Sequence, residues 1–153
     1  MSNSHWLMKS EPEAFSILDL KRDGKTAWTG VRNYQARNYM RDMMRVGDKV
    51  LFYHSSVEPP GVAGIAVVAS AAYPDPSALD KRSEFFDPKS TKDNPIWMVV
   101  DVAFDRVFKR FVTLDALRAD PELVGLLVLK RGMRLSIQPV EKAHFDRIVR
   151  LGS

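Results

Sequence analysis

The sequence predicts an α+β fold: a small, mostly antiparallel, curved sheet or barrel decorated by short helices. Three observations predict it. Segments such as Lys49–His54 and Val62–Ser70 are apolar over strand lengths and rich in β-branched residues. The helical stretches between strands are too short for the crossovers that join neighbouring parallel strands. The 153 residues contain no internal repeat and no low-complexity linker, so one domain spanning 1–153 is expected.

The elements follow in order. Trp6-Leu7-Met8 reads as a short buried strand ending at Lys9-Ser10-Glu11-Pro12, because Pro12 biases Glu11 away from helical backbone. Ser16–Lys21 reads as a short helix closed near Gly24, and Thr26-Ala27-Trp28 as a brief strand. Asn33 to Met44 has apolar residues about one turn apart, predicting a helix stopped by Gly47. Lys49–His54 and Val62–Ser70 flank the turn Pro59-Pro60-Gly61, which predicts an antiparallel pair. Tyr73 to Pro95 is polar, with four prolines, and reads as an exposed excursion. Ile96 to Phe104 alternates as a strand that Arg106-Val107-Phe108 extends. Thr113 is placed to cap a helix over Leu114–Ala119, ended by Asp120-Pro121, and Pro121-Glu122 starts a further helical turn. Leu135–Val140 alternates as the last strand, and a C-terminal helix turns Phe145, Ile148 and Val149 inward, with His144 on its surface.

Composition narrows the chemistry. Hydrophobic residues make up 45% and charged residues 27%, values of an ordinary globular domain. The absence of cysteine removes disulfides, thiol nucleophiles and zinc–thiolate sites, and fits a reducing cytoplasm. No apolar run is long enough to span a bilayer, and Met1–Trp6 has no basic segment leading into an apolar one, so neither membrane nor secretory signal is expected. The net charge of +4, from 23 Lys and Arg against 19 Asp and Glu, permits a polyanionic partner without requiring one.

Most catalytic motifs are missing. His5, His54 and His144 are far apart with no metal-ligand spacing, and neither a GxSxG elbow nor a phosphate-binding glycine loop occurs. His54 ends a predicted strand beside Tyr53 and Ser55, where side chains line a cleft as readily as they fill a core. Trp6 and Trp97 fall inside apolar strands. Trp28 differs, because it leads into Thr29-Gly30-Val31-Arg32-Asn33-Tyr34-Gln35-Ala36-Arg37-Asn38-Tyr39. That run combines rings, guanidinium groups and side-chain amides, which offer stacking, charge and paired donors and acceptors for a nucleobase. A solvated helix start would carry the same residue types.

The chain resembles the EVE domain family. The resemblance rests on Trp6–Pro12, Trp28–Asn38, Gly47-Asp48, Phe52–Ser55, Gly61–Val67, Tyr73-Pro74-Asp75, Phe86–Ser90, Pro95-Ile96-Trp97 and Arg134–Val140, in that order and over nearly the whole chain. It implies a PUA-like pseudo-barrel, related to the YTH readers of methylated adenine in RNA. It also implies a nucleobase pocket, with modified cytosine in DNA as the leading ligand. Lys130-Arg131-Gly132-Met133 departs from the family's usual pocket wall, and Phe145 stands where many relatives carry Trp.

The resulting expectation is a non-enzymatic, monomeric reader without cofactor or metal. Its partner is nucleic acid carrying a modified base, DNA favoured over RNA. Trp28, with Trp97 or Tyr53, would stack on the base. Lys9, Ser10, Asn33 and the backbone at Gly30-Val31 would bond its polar edge, with Asn33 and Ser10 carrying discrimination. Arg32, Arg37, Lys130, Arg131 and Arg134 would hold phosphates, and Tyr34, His54, Ser55 and Ser136 complete the candidate set. Two rivals are an accessory domain for tRNA or rRNA, and an enzyme acting on a small nucleotide-like substrate with His54 or Lys9 as acid or base.

Overall fold

Period-two alternation sets the architecture. In β1 (His5–Ser10) and β3 (Lys49–His54), Trp6, Met8, Val50 and Phe52 join one apolar cluster, and Leu7, Leu51 and Tyr53 join another. The sheet is therefore covered on both faces, which is why these strands read as apolar runs rather than as alternating ones. The computed structural model describes residues 3–153.

Six strands form the main sheet in the order β2 (Lys25–Ala27), β7 (Asp101–Thr113), β4 (Gly61–Val68), β3, β1, β8 (Ile137–Val140). Among the described residues only β1 and β3 run parallel; the other ladders are antiparallel, including the predicted β3–β4 hairpin. Register shifts between Phe52 and Tyr53, and at two places where β4 meets β7, bend and twist the strands and curl the sheet into a half-barrel. This is the mostly antiparallel PUA-like pseudo-barrel with short flanking helices.

The helices cover its two faces. Helix α1 (Ile17–Asp23) starts in a capping box between Ser16 and Asp19, ends at Gly24 and buries Ile17 and Leu20. Helix α2 (Tyr34–Asn38) is capped by Asn33, whose side chain accepts the Ala36 N–H. A regular helix to Met44 was the expectation, but Tyr39–Met43 is a π-turn closed by the Met44 N–H on the Tyr39 carbonyl. Four-residue steps drift around an α-helix, and the wider turn removes the drift, so that Ala36, Met40 and Met44 all reach the core. On the other face lie α3 (Leu114–Ala119), capped by Thr113 as predicted, and α4 (Lys142–Gly152). His144 is buried rather than superficial, because the Gly125–Leu127 turn and the end of β8 close over the first turn of α4.

Two corrections concern the segment leading into β7. Tyr73–Pro95 is not a plain exposed excursion. It pairs β5 (Tyr73–Pro74) with β6 (Met98–Val99) and buries Asp75, Ala78 and Ser90. The strand expected over Ile96–Phe104 is interrupted at Val100, whose carbonyl accepts the Trp28 N–H at 2.9 Å, and β7 then continues without a break to Thr113.

Candidate functional site

A cleft of about 590 Å³ opens where the end of β1, the turn before α1 and the run after β2 converge. Lys9 and Ser10 line it from β1, Glu11 and Phe15 from the turn, Thr26–Gly30 from β2 and the run after it, and Glu84 and Phe85 from the segment between β5 and β6. Of the expected site residues, Lys9, Ser10, Trp28 and Gly30 meet there.

Trp28 is only 9% exposed and packs edge-on against Phe52, with ring centroids 5.6 Å apart. The sequence sets it apart from the core; it is part of the core and also lines the cleft. The indole N–H groups of Trp6 and Trp97 are tied to Asp48 (2.9 Å) and Asp87 (2.7 Å). The indole N–H of Trp28 has no such partner among the described residues and is not enclosed.

Lys9 shares this polarity. Burial lowers the pKa of its ammonium, no carboxylate pairs with it among the described residues, and its one protein acceptor is the Met133 carbonyl at 3.5 Å. The Ser10 hydroxyl donates to the Phe15 carbonyl at 2.5 Å, so it faces the cleft as an acceptor.

Gly30 has φ +84°, and a Cβ there would lie 2.8 Å from the Phe85 ring. The glycine allows the left-handed turn and lets Phe85 close directly onto the backbone. Its N–H donates to Asp75 at 3.0 Å. Asp75 also accepts from Arg32 (3.0 Å) and from the Ser77 N–H and hydroxyl (2.8 and 2.6 Å). Burial alone would raise this carboxyl, but the bonds from Ser77, Gly30 and Arg32 outweigh it and hold its pKa below the usual range.

Several other expected residues serve the fold around the cleft. Arg32 pairs with buried Asp75, donates to the Phe85 carbonyl at 2.6 Å and lies against the rings of Phe85 and Trp97. Arg37 donates to the Ile96 carbonyl and the Asn38 side chain, and lies over Tyr34. The charge of Arg32 is therefore neutralised by Asp75, while Arg37 is held by neutral acceptors. Asn33 caps α2 through its oxygen, Val31 is in the core, and Tyr34 stacks on Trp97 away from the cleft. His54 accepts the Ile17 N–H at 3.2 Å, and burial lowers its pKa, so it is a neutral acceptor at the start of α1. Ser55 and Ser136 enter through backbone, Ser55 N–H donating to the Ser10 carbonyl and the Ser136 carbonyl accepting the Lys9 N–H.

A second cleft of about 450 Å³ adjoins the first through Lys9. Tyr53 is in its wall, and Arg118, Lys130 and Arg131 make it basic. No carboxylate pairs with any of these three cations among the described residues, whereas Arg134 is exposed and lines neither cleft.

The EVE domain matches residues 4–151. The chain belongs to this family. Human thymocyte nuclear protein 1 is 43% identical over 97% of the chain and 74% of its own length. A Pseudomonas putida protein of known structure is 49% identical with a TM-score of 0.94, covering 98% of this chain and all of its own. The crystal structure of human THYN1 protein in complex with 5-methylcytosine-containing DNA superposes with a TM-score of 0.90 at 43% identity, over 97% of both chains.

Sequence reasoning about this EVE domain passed over Phe15, Phe85, Glu11 and Glu84. Phe85 lies in a segment read as an exposed excursion, and its position on Gly30 depends on the Asp75–Arg32 tie, which no local pattern announces. Glu11 lies within the Trp6–Pro12 block, but nothing in its local pattern marks it as lining a cleft.

Proposed function

We propose that this EVE domain reads a modified nucleobase, a modified cytosine in DNA, as a monomer and without chemical turnover. The observation that carries the reading is a cleft lined by nearly buried Trp28, whose indole N–H has no partner among the described residues, and by Lys9, which no carboxylate pairs. Two residues with side-chain donors lining one partly desolvated cleft suit the oxygen and nitrogen acceptors of a base edge. A flipped or unpaired base would rest against Phe85 and Phe15, with the second cleft taking the adjoining backbone through Arg118, Lys130 and Arg131. The human relative bound to 5-methylcytosine-containing DNA supports both the nucleic acid and the base.

Fluorescence anisotropy tests this with labelled oligonucleotides of one sequence, carrying cytosine, 5-methylcytosine, 5-hydroxymethylcytosine or N6-methyladenine, as DNA and as RNA. A modified cytosine in DNA should bind most tightly, Lys9→Met should weaken it, and the oligonucleotide should be recovered unchanged after long incubation. Equal binding of all modifications would refute a reader. Tighter binding of RNA would transfer the reading to an RNA-directed domain.

A further inference from the structure

We propose that Glu11 selects cytosine over thymine in the Trp28 cleft by accepting a hydrogen bond from the exocyclic amine, with Ser56 as its positioning residue. The inference rests on the reading of the cleft as a seat for a modified cytosine.

The chemistry of the cleft favours one pyrimidine edge. Cytosine and its 5-substituted forms present two acceptors, O2 and N3, followed by an amine donor at C4. Thymine presents an acceptor, a donor and an acceptor. Trp28 and Lys9, which carry donors, and Glu11, which carries a carboxylate acceptor, all line the cleft. Arranged along one base edge, this set would complement cytosine at each position and oppose thymine at C4, where two acceptors would meet. 5-Methylcytosine and thymine carry the same methyl group, so a pocket that judged only shape would confuse them.

Two carboxylates line the cleft, and the structure favours Glu11. Its carbonyl accepts the N–H groups of Ala14 and Phe15, at 3.0 and 2.9 Å, and the preceding Ser10 is held from both sides by Ser55 and Phe15. Its Oε1 accepts the Ser56 hydroxyl at 3.3 Å, leaving Oε2 for a ligand. Ser56, at φ 55°, is the one residue other than glycine with positive φ among the described residues. Backbone in that region is held at a cost and recurs where a side chain must be aimed. Glu84 has no hydrogen-bond partner of this kind among the described residues. The independent sign of a ligand is Trp28, which lines the same cleft, is nine-tenths buried and carries an indole N–H that is neither enclosed nor partnered among the described residues.

The test compares affinities for single-stranded DNA carrying 5-methylcytosine, cytosine or thymine at one position, with the intact protein and with E11Q, E84Q and S56A. The native protein should prefer 5-methylcytosine to thymine. E11Q, whose amide can also donate to the thymine oxygen, should reduce that ratio about tenfold or more without changing the salt dependence of binding. S56A should move the ratio the same way by a smaller factor, and E84Q should leave it unchanged. Melting curves establish that each variant is folded. A native protein that fails to distinguish 5-methylcytosine from cytosine overturns the underlying reading. A native protein that makes the distinction, with E11Q keeping the full preference over thymine, overturns the role of Glu11 alone. Loss of the preference in E84Q instead assigns it to Glu84 and overturns the proposal equally.

Discussion

Replacing Arg32 with Gln separates two roles that look identical in the sequence. A guanidinium holding a phosphate would be lost without cost to the fold, and the salt dependence of binding would become shallower by about one unit. The structure gives Arg32 different work. It pairs at 3.0 Å with an Asp75 side chain that has no exposure, donates twice to the Phe85 carbonyl, and lies 5.5 and 5.3 Å from the centroids of Phe85 and Trp97. Breaking a buried pair by removing one partner costs about 3–5 kcal/mol. Here Asp75 keeps three neutral donors, from Gly30 and Ser77, which reduces the penalty. The lost ring contacts add about 0.5–1 kcal/mol each. A destabilisation of about 3 kcal/mol follows, and at about 2–4 °C per kcal/mol for a chain of this size the melting temperature should fall by about 6–12 °C. Urea unfolding and thermal melting measure the stability, and anisotropy across a salt series measures the slope. Unchanged stability with a reduced salt slope would refute the structural assignment and restore Arg32 to the nucleic acid.

Trp28→Ala should cost about 3 kcal/mol or more in urea unfolding, because the ring is enclosed against Phe52, and Trp28→Phe should cost less while still weakening base binding through loss of the N–H. An alanine variant as stable as the parent would place the ring outside the core. Gly30→Ala should lower stability by about 1–2 kcal/mol and push Phe85 off its seat, seen as weaker binding of the modified oligonucleotide with little change in salt slope. Tyr73 donates to Asp101 at 2.5 Å, and this bond to the carboxylate, followed by burial, raises its pKa from 10.0 to about 12. The folded state thus holds the proton more tightly than the unfolded chain, so the stabilisation is fully present below pH 10.0 and is lost as pH rises towards about 12. Tyr73→Phe should be less stable at neutral pH and should lose less stability over that alkaline range; an equal loss in both proteins would contradict the assignment.

What could be read in advance followed from local chemistry. The strands around Phe52 and Ile65, the Ser16 and Thr113 caps and the Gly24 stop depend on residues within a few positions of one another, and each stands where its pattern puts it. The parallel pairing of β1 with β3 and the order of the sheet depend on which apolar faces meet across the chain, and alternation inside one strand carries no such information. The site divides in the same way. The Lys9-Ser10 and Trp28–Gly30 blocks do meet in one cleft. Arg32, Arg37 and Asn33 share the composition of a binding surface, but their partners are Asp75, the Ile96 carbonyl and the Ala36 N–H, and two of those three lie more than 40 residues away. Side-chain type alone does not distinguish a guanidinium spent on an internal carboxylate from one left for an external anion.

The neighbours of β1 also constrain the order in which the chain can assemble. His5–Met8 pairs with residues 137–140 on one side, while β3, some 44 positions along, pairs on the other. On the ribosome, β1 can associate with the β3–β4 hairpin long before Ile137 is made, so one edge of β1 waits without its antiparallel neighbour through most of synthesis. The closing step is then the docking of β8 and α4, which brings Val140, Phe145 and Ile148 onto Leu7 and Leu51. Such distant pairings make folding slow relative to hairpin closure, and the waiting edge is the place where a nascent or partly unfolded chain is most open to pairing with another.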